Sequence, residues 1–429
     1  MAADHIVIVG AGAAGLMAAR ELARNGARVT LIEARERIGG RIWPLPEEEF
    51  GYRAEGGAEF IHGPAPVTRA LAEAAGLALS SARGEAWSMR AGRLARDDDG
   101  TALPHAEELQ ERLAGLAADL PIARFLERYF SAARHAALRR SILRMTEGYD
   151  AADPERASTF ALREEWLGGG DRQSARIRAG YGALVDVLAA ECRRHGAALH
   201  LGTEIAAIAT GGGKVVLRTT AGAAVEADAA IVTLPPPVLR DIALAPAQPQ
   251  VAAALAEIGF GTVVKFLLRF RTRWWRSANG QDLGAMSFIF SDELVPTWWT
   301  QYPDDPAVLT GWLAGPKAAH LKLDEAALLD CGLAALARIF AVAPEAIAAQ
   351  LAAARVIDWG ADPYARGAYS YATPQTRAAQ AVLAKPIDGV LIFSGEALYA
   401  GADMGTVEAA LASGRDAATA LLAGRTGTR

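Results

Sequence analysis

The sequence predicts an α/β protein built from two domains. The chain of 429 residues is longer than one small domain requires. Its opening stretch, HIVIVGAGAAGLMAARELARNGARVTLIEA, has the pattern of a strand, a glycine-rich turn, a helix and a second strand. A separate apolar stretch, GTVVKFLLRF at residues 261–270, is typical of a β-strand. Together these observations predict a doubly wound domain joined to a second domain with its own sheet.

The opening unit predicts dinucleotide binding. Ile6 to Val9 is a continuous apolar run, as expected for a parallel strand buried on both faces. Gly10, Gly12 and Gly15 follow in G-x-G-x-x-G spacing, which suits a tight turn, a close approach to a pyrophosphate and close helix packing. Glu33, at the end of the second strand, would accept hydrogen bonds from ribose hydroxyls and repel the 2′-phosphate of NADP. The alternative is a tight turn that binds nothing.

A second glycine pair favours FAD over NAD. The run EARERIGGRIW contains Arg35 and then Gly39, Gly40 and Arg41. Such a pair beside a cation brings backbone amides and a guanidinium toward phosphates or an isoalloxazine edge. Taken alone, the run is also compatible with a charged surface turn.

Lys265 lies in the middle of the apolar strand at residues 261–270. The chain has only five lysines, so an isolated one among apolar residues needs an explanation. Its stem could lie on apolar surface while the ammonium reaches water or a carboxylate. Alternatively, it is a desolvated amine that takes part in chemistry.

Composition excludes several classes of function. The net charge of −5 and the lack of a Lys/Arg block predict no nucleic-acid partner. Cys192 and Cys331 are too far apart for a disulfide framework, and no metal-ligand spacing is present, so no metal is predicted. No basic leader or long apolar run is seen, which predicts a cytoplasmic protein without a membrane partner. The oligomeric state is left open, and a homodimer is compatible with the sequence.

A series of segments, taken in order, resembles the flavin-containing amine oxidase family of monoamine oxidases, polyamine oxidases and their relatives. The resemblance extends over nearly the whole chain. After the glycine-rich turn and RIGGRIW, the matching segments are EGGAEFIHG (55–63), RAGYGALVDVLA (178–189), LGTEIAAI (201–208), ADAAIVTLPPPVL (227–239), TVVKFLLRF (262–270), DWGADPYARGAYSYATP (358–374) and GVLIFSGEALYAGADMGTVEAALASGRDAA (389–418).

The resemblance implies FAD as the cofactor and a set of residues that bind it. Animal-type monoamine oxidases attach FAD to a cysteine just before a tyrosine. Ala368 stands at that position here, so the FAD is predicted to be non-covalent. The implied cofactor-binding residues are Gly10, Gly12, Ala14, Gly15, Glu33, Ala34, Arg35, Gly40, Arg41, Gly57, Ala58, Glu59, Ile205, Trp359, Gly395, Glu396, Thr406 and Val407.

The implied reaction is oxidation of the C–N bond of an amine to an imine, with oxygen reduced to hydrogen peroxide. Lys265 matches the family's active-site lysine, which reaches the flavin N5 edge through a water, and its apolar neighbours would disfavour its charged form. Tyr369 is expected to orient the substrate beside Trp359. His62 would contact a second amine, or be a loop histidine satisfied by backbone groups.

The expected substrate is a small-molecule amine. Thr406 stands where monoamine oxidases keep a second wall tyrosine, which favours a polyamine or other extended amine. A monoamine oxidase acting on small primary or secondary amines, or a flavin amine dehydrogenase with a non-oxygen acceptor, is the alternative. A flavoprotein fold that binds without turnover is a third interpretation, which the presence of Lys265 and Tyr369 disfavours.

The family pattern predicts a discontinuous Rossmann-type FAD-binding domain made from residues 1–75, 176–255 and 386–429. An α+β substrate domain with a mixed sheet would take residues 76–175 and 256–385. Its first part is predicted to be a mainly helical insertion, because Leu109, Leu113, Leu116 and Leu120 recur at helical spacing. Its second part contains the strand of Lys265, further strands, and a helix in DEAALLDCGLAALARIF.

Overall fold

The computed structural model of the chain describes residues 4–97, 103–167, 174–278, 280–401 and 403–426. Within these residues, the strands are β1 (His5–Val9), β2 (Arg28–Ile32), β3 (Leu79–Ser81), β4 (Glu85–Arg90), β5 (Arg93–Arg96), β6 (Ala175–Ile177), β7 (Ala198–His200), β8 (Ile205–Gly211), β9 (Lys214–Thr219), β10 (Ala224–Ala227), β11 (Ala229–Val232), β12 (Ala243–Ala245), β13 (Gly259–Phe260), β14 (Val263–Phe270), β15 (Ser277–Ala278), β16 (Gln281–Asp282), β17 (Met286–Ser291), β18 (Thr297–Trp299), β19 (Val308–Ala314), β20 (Leu351–Asp358), β21 (Ser370–Tyr371) and β22 (Leu391–Phe393).

Over the same residues, the α-helices are α1 (Ala13–Arg24), α2 (Glu47–Phe50), α3 (Pro66–Ala74), α4 (Ala106–Ala114), α5 (Ile122–Phe130), α6 (Ala136–Gly148), α7 (Thr159–Leu167), α8 (Gly180–Arg194), α9 (Pro236–Leu239), α10 (Pro249–Ala256), α11 (Gly315–His320), α12 (Glu325–Phe340), α13 (Pro344–Gln350), α14 (Thr376–Leu383) and α15 (Val407–Thr426). Short 3₁₀ helices cover Ala133–His135, Trp274–Arg276 and Glu396–Leu398.

A five-stranded parallel sheet in the order β22-β11-β1-β2-β7 forms the first half of the fold. Side chains alternate across it, so that Ile6 and Ile8 pack against α1, α8 and α15 on one face. Val7 and Val9 enter a second core on the other face. A parallel sheet buried on both faces is what the apolar run of β1 predicted, and the α/β fold class is confirmed.

A four-stranded sheet in the order β10-β9-β8-β12 covers the second face of the parallel sheet. Strands β8, β9 and β10 are antiparallel, whereas β12 is parallel to β8. Ile205, at the start of β8, is buried in this shared core. The first half of the fold therefore has layers on both sides of its central sheet.

A seven-stranded mixed sheet in the order β20-β14-β19-β18-β17-β4-β5 forms the second half. All neighbours are antiparallel except β17 and β4. Val264, Phe266 and Leu268 of β14 pack in one core with α12, while Val263 and Leu267 enter another core with Trp359. Alternation therefore places Lys265 on the same side of β14 as Val263 and Leu267.

The predicted helical insertion is only partly helical. Helices α4, α5, α6 and α7 share a small core that includes Leu109 and Leu113. However, residues 76–97 contain β3, β4 and β5, and the last two extend the mixed sheet. The sequence prediction missed them because EAWSMR and RLAR are short strands with charged residues at one end of the sheet, where RLAR forms the edge. Leu116 and Leu120 lie beyond the end of α4, although they contact its core.

The predicted domain limits remain a prediction. All five strands of the parallel sheet do come from the three stretches assigned to that domain. One helix crosses the proposed division, because Ala379 and Leu383 of α14 pack in the core beside the parallel sheet.

No single described helix combines the length and the apolar composition needed to cross a membrane. Helices α12 and α13 meet that test only when taken together, across a bend of 116°.

Candidate functional site

A cavity of about 1560 Å³ lies at the carboxyl ends of β1 and β2 and continues along the mixed sheet. It is larger than the roughly 300–1,000 Å³ of a typical small-molecule site. Of the residues predicted to bind cofactor or substrate, only Gly15 does not line it. Those that do are Gly10, Gly12, Ala14, Glu33, Ala34, Arg35, Gly40, Arg41, Gly57, Ala58, Glu59, His62, Ile205, Lys265, Trp359, Tyr369, Gly395, Glu396, Thr406 and Val407.

The glycine-rich turn is packed too closely to accept side chains. Gly10 has φ +98°, and a Cβ on Gly15 would lie 1.9 Å from the Gly10 carbonyl oxygen. Gly15 therefore allows α1 to pack on β1, as predicted, but does not face the cavity. Gly12 bridges Gly39, whose amide donates to the carbonyl of Ala11 at 2.8 Å. The two glycine motifs form one continuous cradle of backbone that lines the cavity.

Glu33 is almost completely buried and holds this cradle in place. Its carboxylate accepts from the amide of Ala11 at 2.8 Å and from the amide of Arg35 at 2.9 Å. Since a carboxylate has about four acceptor sites, each oxygen can still accept from a ribose hydroxyl. The geometry is compatible with the predicted role of Glu33.

Arg35 is held by an ion pair in the cavity wall. Its guanidinium makes a bidentate ion pair with Asp362, with Nη1–Oδ2 at 2.9 Å and Nη2–Oδ1 at 2.6 Å. It also lies over the ring of Tyr364. The side chain is thus held by the loop after β20 and does not extend freely toward a phosphate. Although Arg35 lines the cavity, these contacts join two distant segments of the chain.

Arg41 and Glu396 form a second ion pair in the cavity wall. Arg41 Nη1 donates to Glu396 Oε1 at 2.7 Å and to the carbonyl of Ala368 at 2.8 Å, and Ser370 Oγ donates to the other oxygen of Glu396. Ala368 is buried and has no atom that could attach a flavin covalently. Gly395 has φ +138°, which allows the sharp turn that presents Glu396.

Thr406 caps α15. Its hydroxyl accepts from the amide of Ala409 at 3.1 Å and donates to the carbonyl of Asp403 at 2.6 Å. This is the usual hydrogen bonding of a helix N-cap. The predicted start of a helix at Thr406 and Val407 is therefore correct, and its amino end lies at the cavity. The hydroxyl of Thr406 therefore uses its hydrogen in the helix cap.

Lys265 is 1% exposed, and its ammonium has three acceptors. Nζ donates to the carbonyl of Glu55 at 2.7 Å, to the carbonyl of Gly57 at 3.0 Å and to Glu59 Oε2 at 3.0 Å. The strand neighbours of Lys265 are apolar, as expected. The ammonium itself is surrounded by oxygen atoms and reaches a carboxylate, which is the first of the two alternatives drawn from the sequence. Sequence reasoning missed the partner because it lies 206 residues away.

Glu59 is the centre of a buried hydrogen-bond network. Its Oε1 accepts from Arg176 Nε at 2.9 Å, Trp299 Nε1 at 3.0 Å and Gln301 Nε2 at 2.8 Å. Burial alone would raise the pKa of Glu59, but Lys265 and Arg176 lower it to about 2. The carboxylate is consequently an anion held between two cations.

A chain of aromatic contacts borders the cavity near this network. Ring centroids lie 6.0 Å apart for Phe60 and His62, 5.6 Å for His62 and Tyr149, 5.6 Å for Phe60 and Trp299, 5.8 Å for Trp299 and Trp312, and 6.4 Å for Trp312 and Tyr369. The hydroxyl of Tyr369 donates a hydrogen bond to the carbonyl of Tyr149 at 2.5 Å, which joins the two ends of this chain of contacts. We call this the aromatic collar: Phe60, His62, Tyr149, Trp299, Trp312 and Tyr369.

Four members of the aromatic collar were not predicted. Phe60 lies within EGGAEFIHG and could have been named with His62. Trp312 pairs directly with Lys265 across β19 and β14, so its position follows once the strand pairing is known. No signal in the sequence pairs these strands, and none identifies Tyr149. Trp359 is separate from the collar, with its Nε1 donating to the carbonyl of Gly56 at 3.1 Å.

The phenol of Tyr369 and the ring of His62 share Tyr149 as a neighbour. Tyr149 Oη lies 3.1 Å from His62 Nδ1. Burial, with a contribution from Asp150, raises the pKa of Tyr369, so its hydroxyl stays neutral. The ring face of Tyr369 that borders the cavity is therefore uncharged.

Acidic residues line the same cavity as the collar: Asp150, Glu164, Glu165 and Asp403. Burial raises the pKa of Asp150 well above its usual value, and Glu165 adds to the effect. Burial also raises the pKa of Asp403, with a further contribution from Glu408. Carboxyl groups in this condition ionise more readily when a cation comes between them.

Another cluster lies outside the cavity. Ligand-type atoms of His105, Glu108 and His135 lie within 4.8 Å of one another, a grouping that no close sequence spacing revealed. Arg134 Nε, however, donates to His135 Nε2 at 3.1 Å. Both histidines also precede helix amino ends, where the backbone dipole disfavours a cation. The contacts describe a hydrogen-bonded cluster.

The residues present fit a flavin dinucleotide. A Cβ on Gly57 would lie 1.8 Å from the carbonyl oxygen of Arg41, and one on Gly40 would lie 3.4 Å from the Cα of Gly12. Glycine lets these backbone segments touch one another, and all four residues line the cavity, where phosphates and a flat ring need close approach to backbone. Glu33 and Glu396 supply carboxylates for hydroxyl groups, and the amino end of α15 supplies amides.

Comparisons with known proteins agree with this geometry. The family model described as flavin containing amine oxidoreductase matches residues 13–422. Lysine-specific histone demethylase 2 from Homo sapiens is 26% identical over 91% of this chain and 50% of its own length. Polyamine oxidase 2 from Arabidopsis thaliana is 28% identical over 91% of this chain and 83% of its own length. The chain spans about half or less of the length of the first curated relatives that it matches.

A solved structure shows the same fold. Cyclohexylamine oxidase from Brevibacterium oxydans IH-35A superposes with a TM-score of 0.80 at 22% identity, covering 99% of this chain and all of the other.

Proposed function

Because this chain belongs to the flavin-containing amine oxidoreductase family, we propose that it is an FAD-dependent amine oxidase. It oxidises the C–N bond of an amine to an imine, and the electrons pass to oxygen, which is released as hydrogen peroxide. The observation that carries this proposal is one cavity lined both by the dinucleotide motifs and by the aromatic collar, with Lys265 in its wall.

FAD supplies the acceptor for the hydride equivalent that leaves the carbon beside the amine nitrogen. The protein positions the amine and sets the polarity of its surroundings. The aromatic collar excludes water and offers ring faces that attract an ammonium group. The reacting nitrogen must be neutral, and an apolar environment favours the neutral form. Water then hydrolyses the imine to a carbonyl compound and a smaller amine or ammonia.

An extended amine with a second cationic group is the favoured substrate. Asp150 and Glu165 both line the cavity, and Glu165 contributes to the raised pKa of Asp150, so a distal ammonium would relieve their repulsion. His62 is a polar member of the collar beside Tyr149. Polyamine oxidases among the relatives support the same substrate class.

A small monoamine is the second candidate, because five of the six collar residues are Phe, Tyr or Trp. Such a wall can pack against the apolar group of a small monoamine as well as against the methylene chain of an extended amine. A flavin amine dehydrogenase is the alternative for the electron acceptor.

A panel of amines tests these proposals. The FAD-loaded chain is given spermidine, spermine, benzylamine or tyramine, with hydrogen peroxide measured in air and flavin bleaching measured without oxygen. We expect spermidine or spermine to exceed benzylamine in kcat/KM, since a short amine cannot reach the distal groups whose binding energy also raises turnover. His62→Ala should narrow that difference. His195→Ala, an exposed histidine beyond the end of α8, is the matched control.

The outcomes separate the parts of the proposal. Faster turnover of benzylamine or tyramine than of every polyamine refutes the extended substrate alone. Bleaching by amine without peroxide in air assigns a dehydrogenase. Absence of bleaching with every amine refutes amine oxidation.

A further inference from the structure

Glu59 occupies an unusual place in the cavity wall. The segment of residues 55–59 presents alternate residues to Lys265, through the carbonyls of Glu55 and Gly57 and the carboxylate of Glu59. Three acceptors for one nitrogen require three N–H bonds, which only the ammonium form has. The geometry therefore describes a charged lysine whose hydrogens are all used by the protein.

The charge of Lys265 depends on Glu59. Of the three acceptors only Glu59 is an anion, and it is 7% exposed at the side chain. Arg176, on the other oxygen of Glu59, is held further by the carbonyls of Thr300 and Tyr302 at 3.1 and 3.2 Å. If Glu59 lost its charge, two buried cations would face each other without an anion between them. Such a buried ammonium gives up its proton readily.

The other groups packed around the pair cannot easily replace Glu59. Tyr52 is partly buried, and its removal from water keeps its pKa well above the usual value, so it is neutral. Burial raises the pKa of Glu55 to about 7, partly offset by the Gly182 amide and Lys265. Glu55 reaches Lys265 through its backbone oxygen, whereas its side chain accepts from the amide of Gly182 at 2.9 Å. Trp299 and Gln301 are uncharged donors.

We propose that Glu59 is a positioning residue that keeps Lys265 a fixed cation in the wall of the reaction cavity. This inference rests on the proposed function, because a fixed positive charge there assists the reduction of oxygen by stabilising the negative charge that develops on it. Lys265 then acts by its charge and does not exchange a proton during turnover.

The experiment measures the reaction of the reduced FAD-loaded protein with oxygen as a function of pH. Reduction by light with a sacrificial donor replaces the amine, so the result does not depend on finding a substrate. The variants are Glu59→Gln, Lys265→Met, their combination, and Glu59→Asp. Flavin absorbance is also titrated with pH in the oxidised protein, because a nearby charge that appears or vanishes shifts the spectrum.

In Glu59→Gln we expect an additional ionisation, above which the oxygen rate falls by roughly tenfold per pH unit. The same ionisation should appear in the absorbance titration, and Glu59→Asp should remove it by restoring the anion. Glu59→Gln combined with Lys265→Met should match Lys265→Met alone within about twofold, since residues that act as a unit are non-additive.

Glu55→Gln is the matched control, because it makes the same chemical change four residues away. Glu55→Gln combined with Glu59→Gln should retain the new ionisation, which assigns it to Lys265. An oxygen profile and spectrum in Glu59→Gln identical to those of the parent would overturn the proposal. The proposal would also be overturned if the rate effects of Glu59→Gln and Lys265→Met multiplied in the combined variant. Loss of amine oxidation with these pH effects intact would refute the proposed function alone.

Discussion

Glu55 and Glu59 are two buried carboxyl groups, four residues apart, whose surroundings act in opposite directions. Burial raises the pKa of Glu55 to about 7, since one of its oxygens has no hydrogen-bond partner among the described residues and the other accepts only from Gly182. At Glu59, burial is outweighed by Lys265 and Arg176, which lower the pKa to about 2. The same type of side chain is thus a proton-binding group at one position and a permanent anion at the other.

These opposite pKa shifts predict that the free energy of unfolding is greatest near pH 4.5, since it falls toward pH 2 on the acid side and falls between about pH 4.5 and pH 7 on the other. Glu59 has a lowered pKa in the folded protein, so its stabilisation is present above about 4.5 and is lost as the pH falls toward 2. Glu55 has a raised pKa, so its favourable contribution is present below about 4.5 and is lost as the pH rises through about 7. Each limb amounts to at most about 3 kcal/mol.

Denaturant unfolding of the parent, Glu59→Gln and Glu55→Gln from pH 3 to pH 9 measures the two limbs. Glu59→Gln should flatten the fall in unfolding free energy below about pH 4.5. Glu55→Gln should flatten the fall between about pH 4.5 and pH 7. Curves for both variants that run parallel to that of the parent across the whole range would contradict the assignment.

At the scale of elements, the cavity depends on segments that touch through bare backbone. The segment of residues 55–59 passes the carbonyl of Arg41 so closely that the two are joined by a hydrogen bond from the amide of Ala58 at 3.2 Å. Gly57 makes this approach possible at a negative or extended φ, so the requirement is one of space. The same segment carries the three acceptors of Lys265.

Gly57→Ala should therefore weaken cofactor binding. Its Cβ would lie 1.8 Å from the Arg41 carbonyl oxygen and 3.1 Å from the ring of Trp359, so the segment must shift. We expect a loss of about 1–3 kcal/mol in unfolding free energy and a lower flavin content per chain. Gly211→Ala is the control, since no atom of the described residues lies within 4 Å of its added Cβ. Absorbance of the purified proteins and thermal unfolding measure both effects.

Equal flavin content and equal Tm in the two alanine variants would show that the contact at Gly57 relaxes without consequence. A lower Tm with full flavin content would restrict the role of Gly57 to packing.

The whole molecule is organised around one cavity whose lining runs from Val9 to Ala410. Both large sheets and the amino end of α15 contribute to it. A ligand that fills such a cavity touches nearly every part of the chain, so its binding stabilises the folded state as a whole.

Removal of FAD should therefore lower the Tm of the entire chain. Acid precipitation should release free FAD into the supernatant, since Ala368 offers no point of attachment. Refolded or dialysed protein without FAD should unfold earlier, and added FAD at about 100 times its Kd should restore roughly 2.7 kcal/mol. Flavin that stays with the precipitate would refute non-covalent binding. A Tm independent of FAD would refute the coupling.

Prediction from sequence succeeded where the signal is local. The turn at Gly10, the apolar strand β1, the acidic residue Glu33 and the start of α15 at Thr406 are each marked by neighbours within a few residues. The apolar run around Lys265 is likewise a strand, β14. Such features follow from backbone geometry and periodicity, which short stretches contain.

What could not be predicted are the contacts between distant segments. The partner of Lys265 lies 206 residues away, and the partner of Arg35 lies 327 residues away. Charged groups of this kind pair only after strands have been ordered into sheets, and the sequence contains no local record of that order. Strands β4 and β5 were missed for a related reason, because β4 joins the mixed sheet by pairing with the distant strand β17, and β5 then pairs with β4.

The ion pair of Glu59 and Lys265 also constrains how the sequence can diverge. A lineage that replaces Glu59 first leaves the cations of Lys265 and Arg176 buried without an anion between them, which is strongly destabilising. One that replaces Lys265 first leaves Glu59 paired with Arg176 alone. Neutral replacement of Glu59 is therefore blocked while Lys265 is kept. Descendants that have lost the pair should have lost both members, or should have passed through an intermediate in which a nearby substitution supplied the missing charge.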